Sequence, residues 1–428
     1  QGEADAQQIY HDLDLRVQTR LVLDKLAGEL YRQHNFYQQQ YNNEVSGDKR
    51  AEIAKIQENY ARYVHRIEEW NLDTVPGSKT VYLSWQSLAE GVKKTLAGAR
   101  KVAMEYSPNC AIPYVSIVDA GTMELVRAAG VQVVSSANLV AAFEAVWDEE
   151  QMKDNAVTAK HLRQIVDTAF GFIRSRITAG KKITEYDVQQ FMLGEFRKRG
   201  IYSENDPNCS VNANSANPHY EPTKKVHSPL KKGDFVLLDL WAKSKKARSV
   251  YADITWTGFI GERVPEEYEK IFQVVKGGRD AALALVRQRF AERKPMQGWE
   301  VDDAARKYIA TQGYGDAFVH RTGHSIGEEI HGNGANMDNL ETHDDRRILP
   351  STSFSIEPGV YLRDKFGVRS EIDVVISPTG EVIVTGEPMQ ECVVAILQGT
   401  VGQRKLVKRT RRRSNTVTKK RSRSTRSR

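Results

Sequence analysis

Hydrophobic positions along this chain change period three times, and each period predicts a different kind of element. From residue 5 to about 70, Leu15, Val17, Leu21, Leu23, Leu26 and Leu30 recur at mixed three- and four-residue steps, which predicts helix, with a break at Gly47. This Gln-rich stretch reads as a surface-packed helical hairpin, and residues 1–60 are assigned to a helical N-terminal segment. After the turn VPGSK, the short apolar runs KVAMEY, YVSIVD and VQVVSS alternate with helix-like segments such as TMELVRAAG. That alternation predicts a small α/β domain over 61–148, closing near Asn138-Leu139-Val140. Residues 149–176 predict a long helix with Ala156, Leu162, Ile165, Ala169 and Ile173 on one face. A second helix starts at Thr184 as N-cap and turns Val188, Phe191, Met192 and Phe196 inward.

From about residue 208 strands dominate. FVLLDLWAK and VYADITWTGFIG predict a hairpin, helices follow from Pro265 and from Gly298, and SFSIEPGVYL, VRSEIDVVISP and GEVIVTG form a second strand-rich block. Residues 149–400 are therefore expected to form one α+β domain, with two antiparallel blocks flanked by helices.

Charge changes this picture only at one end. The 428 residues carry a net +7, yet residues 404–428 hold thirteen Lys or Arg and no acid, which leaves 49 basic against 55 acidic side chains in the body. The basic character belongs to a tail, residues 401–428, whose low-complexity Ser, Thr and Arg composition predicts disorder. Such a tail is expected to contact nucleic acid at most nonspecifically, through phosphates and with strong salt dependence. No apolar run approaches the roughly 20 residues of a membrane span. The start QGEADAQQIY shows no basic stretch followed by an apolar core, so it does not read as a secretory signal. Three widely spaced cysteines, Cys110, Cys209 and Cys392, argue against a disulfide framework and for a reducing, cytoplasmic location.

Candidate chemistry lies where acids interrupt apolar strands. Asp239 sits in FVLLDLW and Asp253 in VYADITW; Glu357 sits in SFSIEPGVYL and Glu371 in GVRSEIDVVI. Taken singly, each reads most simply as a satisfied core acid, with Arg369 available as a partner for the glutamates. In HRTGHSIGEEIHG, His320, His324 and His331 fall within twelve residues, among glycines that suggest tight backbone geometry. Taken together, four carboxylates embedded in apolar strands would repel one another without cations. Two Asp, one His and two Glu form a hard, oxygen-rich set suited to Mn²⁺, with Zn²⁺ or Co²⁺ as alternatives, rather than to a thiolate zinc site. Two such ions about 3.5–4 Å apart would suit hydrolysis. His227, His343, Asp338, Asp344 and Asp345 are read as parts of polar loops and not as ligands.

The stretches NPHYEPT, LLDLWAK, YADIT, HRTGHSIGEEIHG, FSIEPGVY and GVRSEID occur in an order that resembles the pita-bread metallopeptidases, the family of methionine aminopeptidases, Xaa-Pro aminopeptidases and Xaa-Pro dipeptidases. The resemblance covers roughly residues 150–400. A weaker likeness to the creatinase-like N-terminal domain, through HRIEEW, LDTVPGSKTVYLSW and VDAGTMELVRAAG, points to the Xaa-Pro members. The resemblance implies two divalent metal ions held by Asp239, Asp253, His324, Glu357 and Glu371, with Asp253 and Glu371 bridging. It implies Glu357 as general base, His219, His320 and His331 as pocket residues that stabilise the intermediate, and Arg369 as support for the metal site. The implied substrate is a peptide with proline at the second position, and a homodimer is among the assemblies it admits. Three features depart from the family pattern: a long basic loop between Asp239 and Asp253; Trp256 and Gly332, where many members have Arg and Glu; and the first sixty residues, which do not resemble the start of a complete creatinase-like domain. Two competing readings are a creatinase-like hydrolase on the same fold and an inactive binding module with an RNA-binding tail.

Overall fold

A computed structural model describes residues 61–73 and 78–398. The helical N-terminal segment and the basic tail expected from the sequence lie outside these residues.

The chain enters on β1 (Ala61–His65), where the sequence predicted the end of a helix. β1 pairs in parallel with β2 (Ser78–Tyr82), and a 3₁₀ turn over Arg66–Leu72 follows β1. The strand wins because Tyr63 and Val64 are buried there, with the Tyr63 hydroxyl donating to the Gly91 carbonyl. α1 (Trp85–Thr95) starts at a capping box made by Ser84 and Ser87. β3 (Lys101–Met104) follows, then α2 (Ala120–Ala128), β4 (Gln132–Ser135) and α3 (Ala137–Glu144). β3 and β4 pair in parallel, and Val92, Leu96, Val102, Met104, Met123, Val126 and Val131 form the core beneath them. One expectation fails here. YVSIVD is not a strand: Pro113 opens a 3₁₀ turn, and both the Ile117 and Val118 N–H groups donate to the Glu105 carbonyl. α3 carries the chain through Asn138 to Glu144.

α4 (Glu149–Thr178) is the predicted long helix, started by an Asp148–Gln151 capping box. Leu162, Ile165, Ala169 and Ile173 face the core as expected; Ala156 is exposed, and Asn155 and Ala159 take the inner face instead. α5 (Glu185–Arg199) begins at Thr184, whose hydroxyl caps the Asp187 N–H, and ends at Gly200 in a left-handed conformation. Val188, Met192 and Phe196 are buried, and the half-buried Phe191 stacks on Phe172 of α4.

β5 (Ile201–Tyr202) and β6 (Asn208–Val211) both pair with β7 (Phe235–Ser244), which forms the predicted hairpin with β8 (Ala252–Phe259). α6 (Glu266–Ala291) and α7 (Gly298–Thr311) pack on one another and on the second block. In that block β9 (Ser325–Ile326) pairs with β10 (Ser353–Ile356). β11 (Gly359–Leu362) and β12 (Phe366–Arg369) make a separate hairpin. β13 (Ile372–Ile376) lies between β10 and β14 (Val382–Thr385), and β15 (Val394–Ala395) returns to pair in parallel with β8. The α+β layout with two strand blocks and flanking helices is therefore present. The β7–β8 block packs on α4 and α5 through one core, and the β10–β13 block packs on α6 and α7 through another. The acids of interest lie where the two blocks meet, as the Thr255–Glu371 contact shows.

Candidate metal centre

Strand register brings the first two acids together. Asp239 on β7 stands opposite Thr255, and Asp253 on β8 stands opposite Trp241. Asp239 and Asp253 are thus diagonal neighbours on one face of the hairpin, since side chains alternate with period two. The long loop between them begins beyond the Ala242–Ala252 pair and leaves this diagonal unchanged. Three of its four basic residues are anchored. Arg248 reaches Asp148 at 3.2 Å and Glu328 at 3.6 Å, Lys246 reaches Asp154 at 3.1 Å, and Lys243 donates to the Glu328 carbonyl. Trp256, next to Thr255 and so on the opposite face of β8, lies in the core against α4, with the Arg163 guanidinium 3.7 Å from its ring centroid.

The other acids arrive from the second block. Glu371 directly precedes β13, and its N–H donates to the Thr255 carbonyl at 3.4 Å. Glu357 directly follows β10, and its N–H donates to the Thr322 carbonyl at 2.7 Å. His324 lies beside it: the Ser355 N–H donates to the His324 carbonyl at 2.9 Å, and the His324 N–H donates to Ser355 Oγ at 3.0 Å. Gly323 permits this approach. A Cβ at that position would stand 2.0 Å from the Ser355 carbonyl oxygen.

Ligand atoms of Asp253, His324 and Glu371 fall within 4.8 Å of one another, and all three residues are buried. His324 Nε2 is 3.4 Å from Glu357 Oε1 and 3.8 Å from Asp253 Oδ2. His324 Nδ1 lies 3.1 Å from the Ser325 carbonyl, which can only accept, so the imidazole proton sits on Nδ1 and Nε2 keeps its lone pair. Asp239 is tied to Arg369 by an ion pair. Arg369 also donates through Nε to Thr255 Oγ1 at 3.0 Å and stands 3.8 Å from Glu357. The five expected ligands and Arg369 are thus joined in one contact network.

Electrostatics of the cluster are unfavourable for bare carboxylates. Burial pushes Asp253 and Glu371 well above the usual carboxylate range, and the negative charge of neighbouring acids adds to it, Asp239 for Asp253 and Asp253 for Glu371. Burial also raises Asp239, against the opposing pull of Arg369. Asp253 Oδ1 and Glu371 Oε1 are buried with no hydrogen-bond partner among the described residues. Buried oxygens left in this state are costly unless a cation or proton meets them. Hard oxygen donors, a free imidazole lone pair and two orphaned carboxylate oxygens fit divalent metal ions.

The three histidines expected in the pocket divide. His320 is held between the Arg321 carbonyl (2.7 Å) and the Tyr361 hydroxyl (2.8 Å), and burial, with Arg369 nearby, lowers its pKa to about 3. The His331 ring meets the His324 ring edge-on, with centroids 4.4 Å apart. His219 is exposed on the segment after a 3₁₀ turn at Asn212–Ala216, and no hydrogen bond or ring contact among the described residues joins its imidazole to the cluster. Asp338 and Asp344, expected to be loop acids, are buried in loop contacts. Asp338 accepts from the backbone of Leu340, Glu341 and Thr342, and Asp344 pairs with Arg346.

Three residues were missed from the sequence. Thr255 Oγ1 lies 2.8 Å from Asp239 Oδ1 and 2.7 Å from Glu371 Oε2, bridging the two blocks. Asp373 is buried and accepts the Asp253 N–H at 2.7 Å. Tyr361 holds His320. Thr255 and Asp373 each stand two positions after an expected ligand in or beside a strand, so the period-two rule carried a signal for both.

Comparison with known proteins agrees with this geometry. The model of metallopeptidase family M24 matches residues 158–378, just over half of the chain. A Bacillus subtilis protein named "Uncharacterized peptidase YqhT" is 30% identical over 262 residues, 60% of this chain and 69% of its own length. A Mycoplasma genitalium protein named "Putative Xaa-Pro aminopeptidase" is 30% identical over 46% of this chain and 51% of its own. The Xaa-Pro dipeptidase of Pyrococcus furiosus is 34% identical over 51% of this chain and 57% of its own. The chain therefore spans about half to two thirds of the length of these relatives. Among solved structures, dipeptidase PepE from Mycobacterium ulcerans superposes with a TM-score of 0.55 at 21% identity, covering 78% of this chain and 83% of that one. The X-Pro aminopeptidase from Thermotoga maritima gives 0.52 at 21% identity, covering 78% and 87%. These two likenesses carry the fold, a pita-bread arrangement of mixed helices and strands. No described helix is long and apolar enough to cross a membrane. The matched segment contains every acid of the cluster, and on that match the chain belongs to metallopeptidase family M24.

Proposed function

We propose that this chain is a dinuclear metal-dependent peptidase that hydrolyses Xaa-Pro bonds, at the N terminus of peptides or in dipeptides. The observation that carries the reading is the pair of buried, unpartnered oxygens on Asp253 and Glu371 beside the free Nε2 of His324. Asp239, Asp253, His324, Glu357 and Glu371 would hold two divalent ions, Mn²⁺ first and Zn²⁺ or Co²⁺ as alternatives, with Asp253 and Glu371 shared between them. Such ions supply Lewis acidity and a nucleophilic hydroxide near neutral pH.

The chain's own residues supply the rest. Glu357, 3.4 Å from His324 Nε2 and less buried than Asp253 or Glu371, accepts the proton of the attacking water. His331 flanks the cluster, where an imidazole N–H can donate to the oxyanion of the tetrahedral intermediate; His320, whose Nδ1 proton is committed to the Arg321 carbonyl, lines the pocket through its contact with Tyr361. His219 is assigned to the outer pocket. Arg369 holds Asp239 and Thr255 in place and offsets the surplus of negative charge. Proline as the second residue is supported by relatives named Xaa-Pro dipeptidase and Xaa-Pro aminopeptidase. A bond before proline is a tertiary amide without an N–H, so a dedicated pocket is needed for it. Residues 149–400 would be the catalytic domain and 61–148 a creatinase-like unit that shapes the pocket and a homodimer. Salt-dependent, nonspecific contact of the basic tail with nucleic acid and a cytoplasmic location complete the reading.

The test is a cleavage assay on Xaa-Pro dipeptides and on longer Xaa-Pro peptides after Mn²⁺ reconstitution. Release of the residue before proline is expected. No turnover of any of them, with metal shown to be bound, overturns the proposal.

A further inference from the structure

The segment before α2 touches the catalytic block at one well-defined place. The Ala111 carbonyl accepts the His343 N–H at 3.0 Å, and three residues later Tyr114 inserts its hydroxyl among Asn336, Asp344 and Arg346. The Tyr114 ring stays half exposed, with the Arg346 guanidinium 5.5 Å from its centroid. The hydroxyl is the part that is committed.

Donor and acceptor chemistry gives this contact a direction. Ser325 N–H can only donate, and it lies 2.9 Å from Asn336 Oδ1, so the amide oxygen of Asn336 faces Ser325. The amide nitrogen must then point the other way, and it donates to Tyr114 Oη at 2.6 Å. Tyr114 donates its own proton to Asp344 Oδ2 at 3.3 Å, and Asp344 is fixed by Arg346 through Nε at 2.9 Å. At the other end, the Ser325 carbonyl accepts the His324 Nδ1 proton at 3.1 Å and the Gly332 N–H at 2.7 Å. Four consecutive hydrogen bonds therefore run from Asp344 through Tyr114, Asn336 and Ser325 to the imidazole of His324. Asn336 and Ser325 are buried, so neither has water as a substitute partner.

We propose that Tyr114 is a positioning residue for the metal centre: it fixes Asn336, and through Ser325 it sets the orientation of the His324 imidazole. This rests on the reading of His324 as a metal ligand. The unit over residues 61–148 then does more than sit beside the pocket, because its docking is built into the geometry of one ligand. An imidazole whose Nδ1–H is aimed by a fixed carbonyl presents Nε2 in one direction. Loosening that carbonyl spreads the direction of Nε2.

The test uses the full chain with Tyr114→Phe, which removes the hydroxyl and keeps the ring over Arg346. Two readouts are taken. Calorimetric titration of the metal-free protein with Mn²⁺ alone should show affinity weakened by about 3- to 10-fold at one site, at or below the lower end of the range seen when partners of a ligand are removed. Nitrogen-15 NMR of metal-free protein labelled at histidine should show faster solvent exchange of the His324 Nδ1 proton. The melting temperature of the metal-free variant should fall by no more than a few degrees, the effect of one buried amide hydrogen losing its partner in a chain this size. Unchanged metal affinity together with unchanged Nδ1 exchange overturns the proposal. So does a fall in affinity matched by a large fall in metal-free stability, which is the result of a merely structural contact. Should Tyr114→Phe not fold, Tyr114→Trp keeps an aromatic ring without the hydroxyl; it takes the same two readouts, and the same outcomes support or overturn the proposal. Parent protein that binds Mn²⁺ but cleaves no Xaa-Pro peptide overturns the proposed substrate and leaves this inference standing.

Discussion

The backbone N–H of Asp253 donates to the carboxylate of Asp373 at 2.7 Å, so an acid that is not itself an expected ligand fixes the strand position of one that is. Asp373 stands opposite Ser355 across β10 and β13, and Ser355 contacts both His324 and Glu357. One short strand register thus locks the two blocks around the cluster.

Asp373→Ala should leave the Asp253 N–H buried and unpaired, at a cost of about 1–3 kcal/mol. Asp373→Asn, which keeps an acceptor oxygen, should cost less. Thermal melting of the two metal-free variants against the parent checks the order. Equal losses would mean that the hydrogen bond is not what the carboxylate contributes.

Asp253→Ala should abolish metal retention and peptide turnover together. Metal content after dialysis and cleavage of an Xaa-Pro peptide are the measurements. Retained turnover after loss of bound metal would remove the metal from the reaction.

Thr255→Val keeps the shape at the junction of the blocks and removes the hydroxyl that meets Asp239, Glu371 and Arg369. Removal of such a partner typically weakens metal affinity by about 10- to 100-fold. Titration with Mn²⁺ reads the loss, and circular dichroism should show an unchanged fold.

Gly323→Ala forces a methyl group against the Ser355 carbonyl, 2.0 Å from where its carbon would lie. Backbone on both sides leaves little room to yield, and a cost of about 3 kcal/mol is expected, at the upper end for overpacking. Denaturant unfolding measures it. A cost below the error of that measurement would mean that the β9–β10 contact is soft.

His320 gives a pH dependence with a definite sign. Burial first, and Arg369 second, lower its pKa to about 3, while an unfolded histidine titrates near 6.5. Below about pH 6.5 the unfolded chain takes up a proton that the native site refuses, so stability is lost as pH falls toward 3. The slope is on the order of 1.4 kcal/mol per pH unit for this one group. His320→Gln carries no such proton, so its stability should fall less steeply between about pH 6.5 and 4. Parallel pH profiles for parent and variant would show that His320 is not buried in the neutral form.

Legibility from sequence followed the physics of each signal. The β7–β8 hairpin and the start of α5 at Thr184 were readable because alternation and capping are local. The acids were readable because a carboxylate inside an apolar strand contradicts its surroundings, and the structure brings all four together with His324. YVSIVD misled because its apolar composition suits a strand, while Pro113 and the Glu105 carbonyl give its backbone another partner. Ala156 misled because a small residue reads equally well on either face of a helix. Thr255 and Asp373 were passed over because a hydroxyl or an acid beside a stronger motif residue adds little contrast of its own. Tyr114 had no signal at all: its partners are more than 200 residues away in the chain.

The hairpin of β7 and β8 holds Asp239 and Asp253 as diagonal neighbours, while the extra length between them lies past the Ala242–Ala252 pair. Linear distance between these two acids is therefore a poor yardstick for their separation in space. A pattern search written with a fixed gap would discard this chain although its carboxylates converge. One written in strand register, counting back from the last cross-strand pair, would keep it.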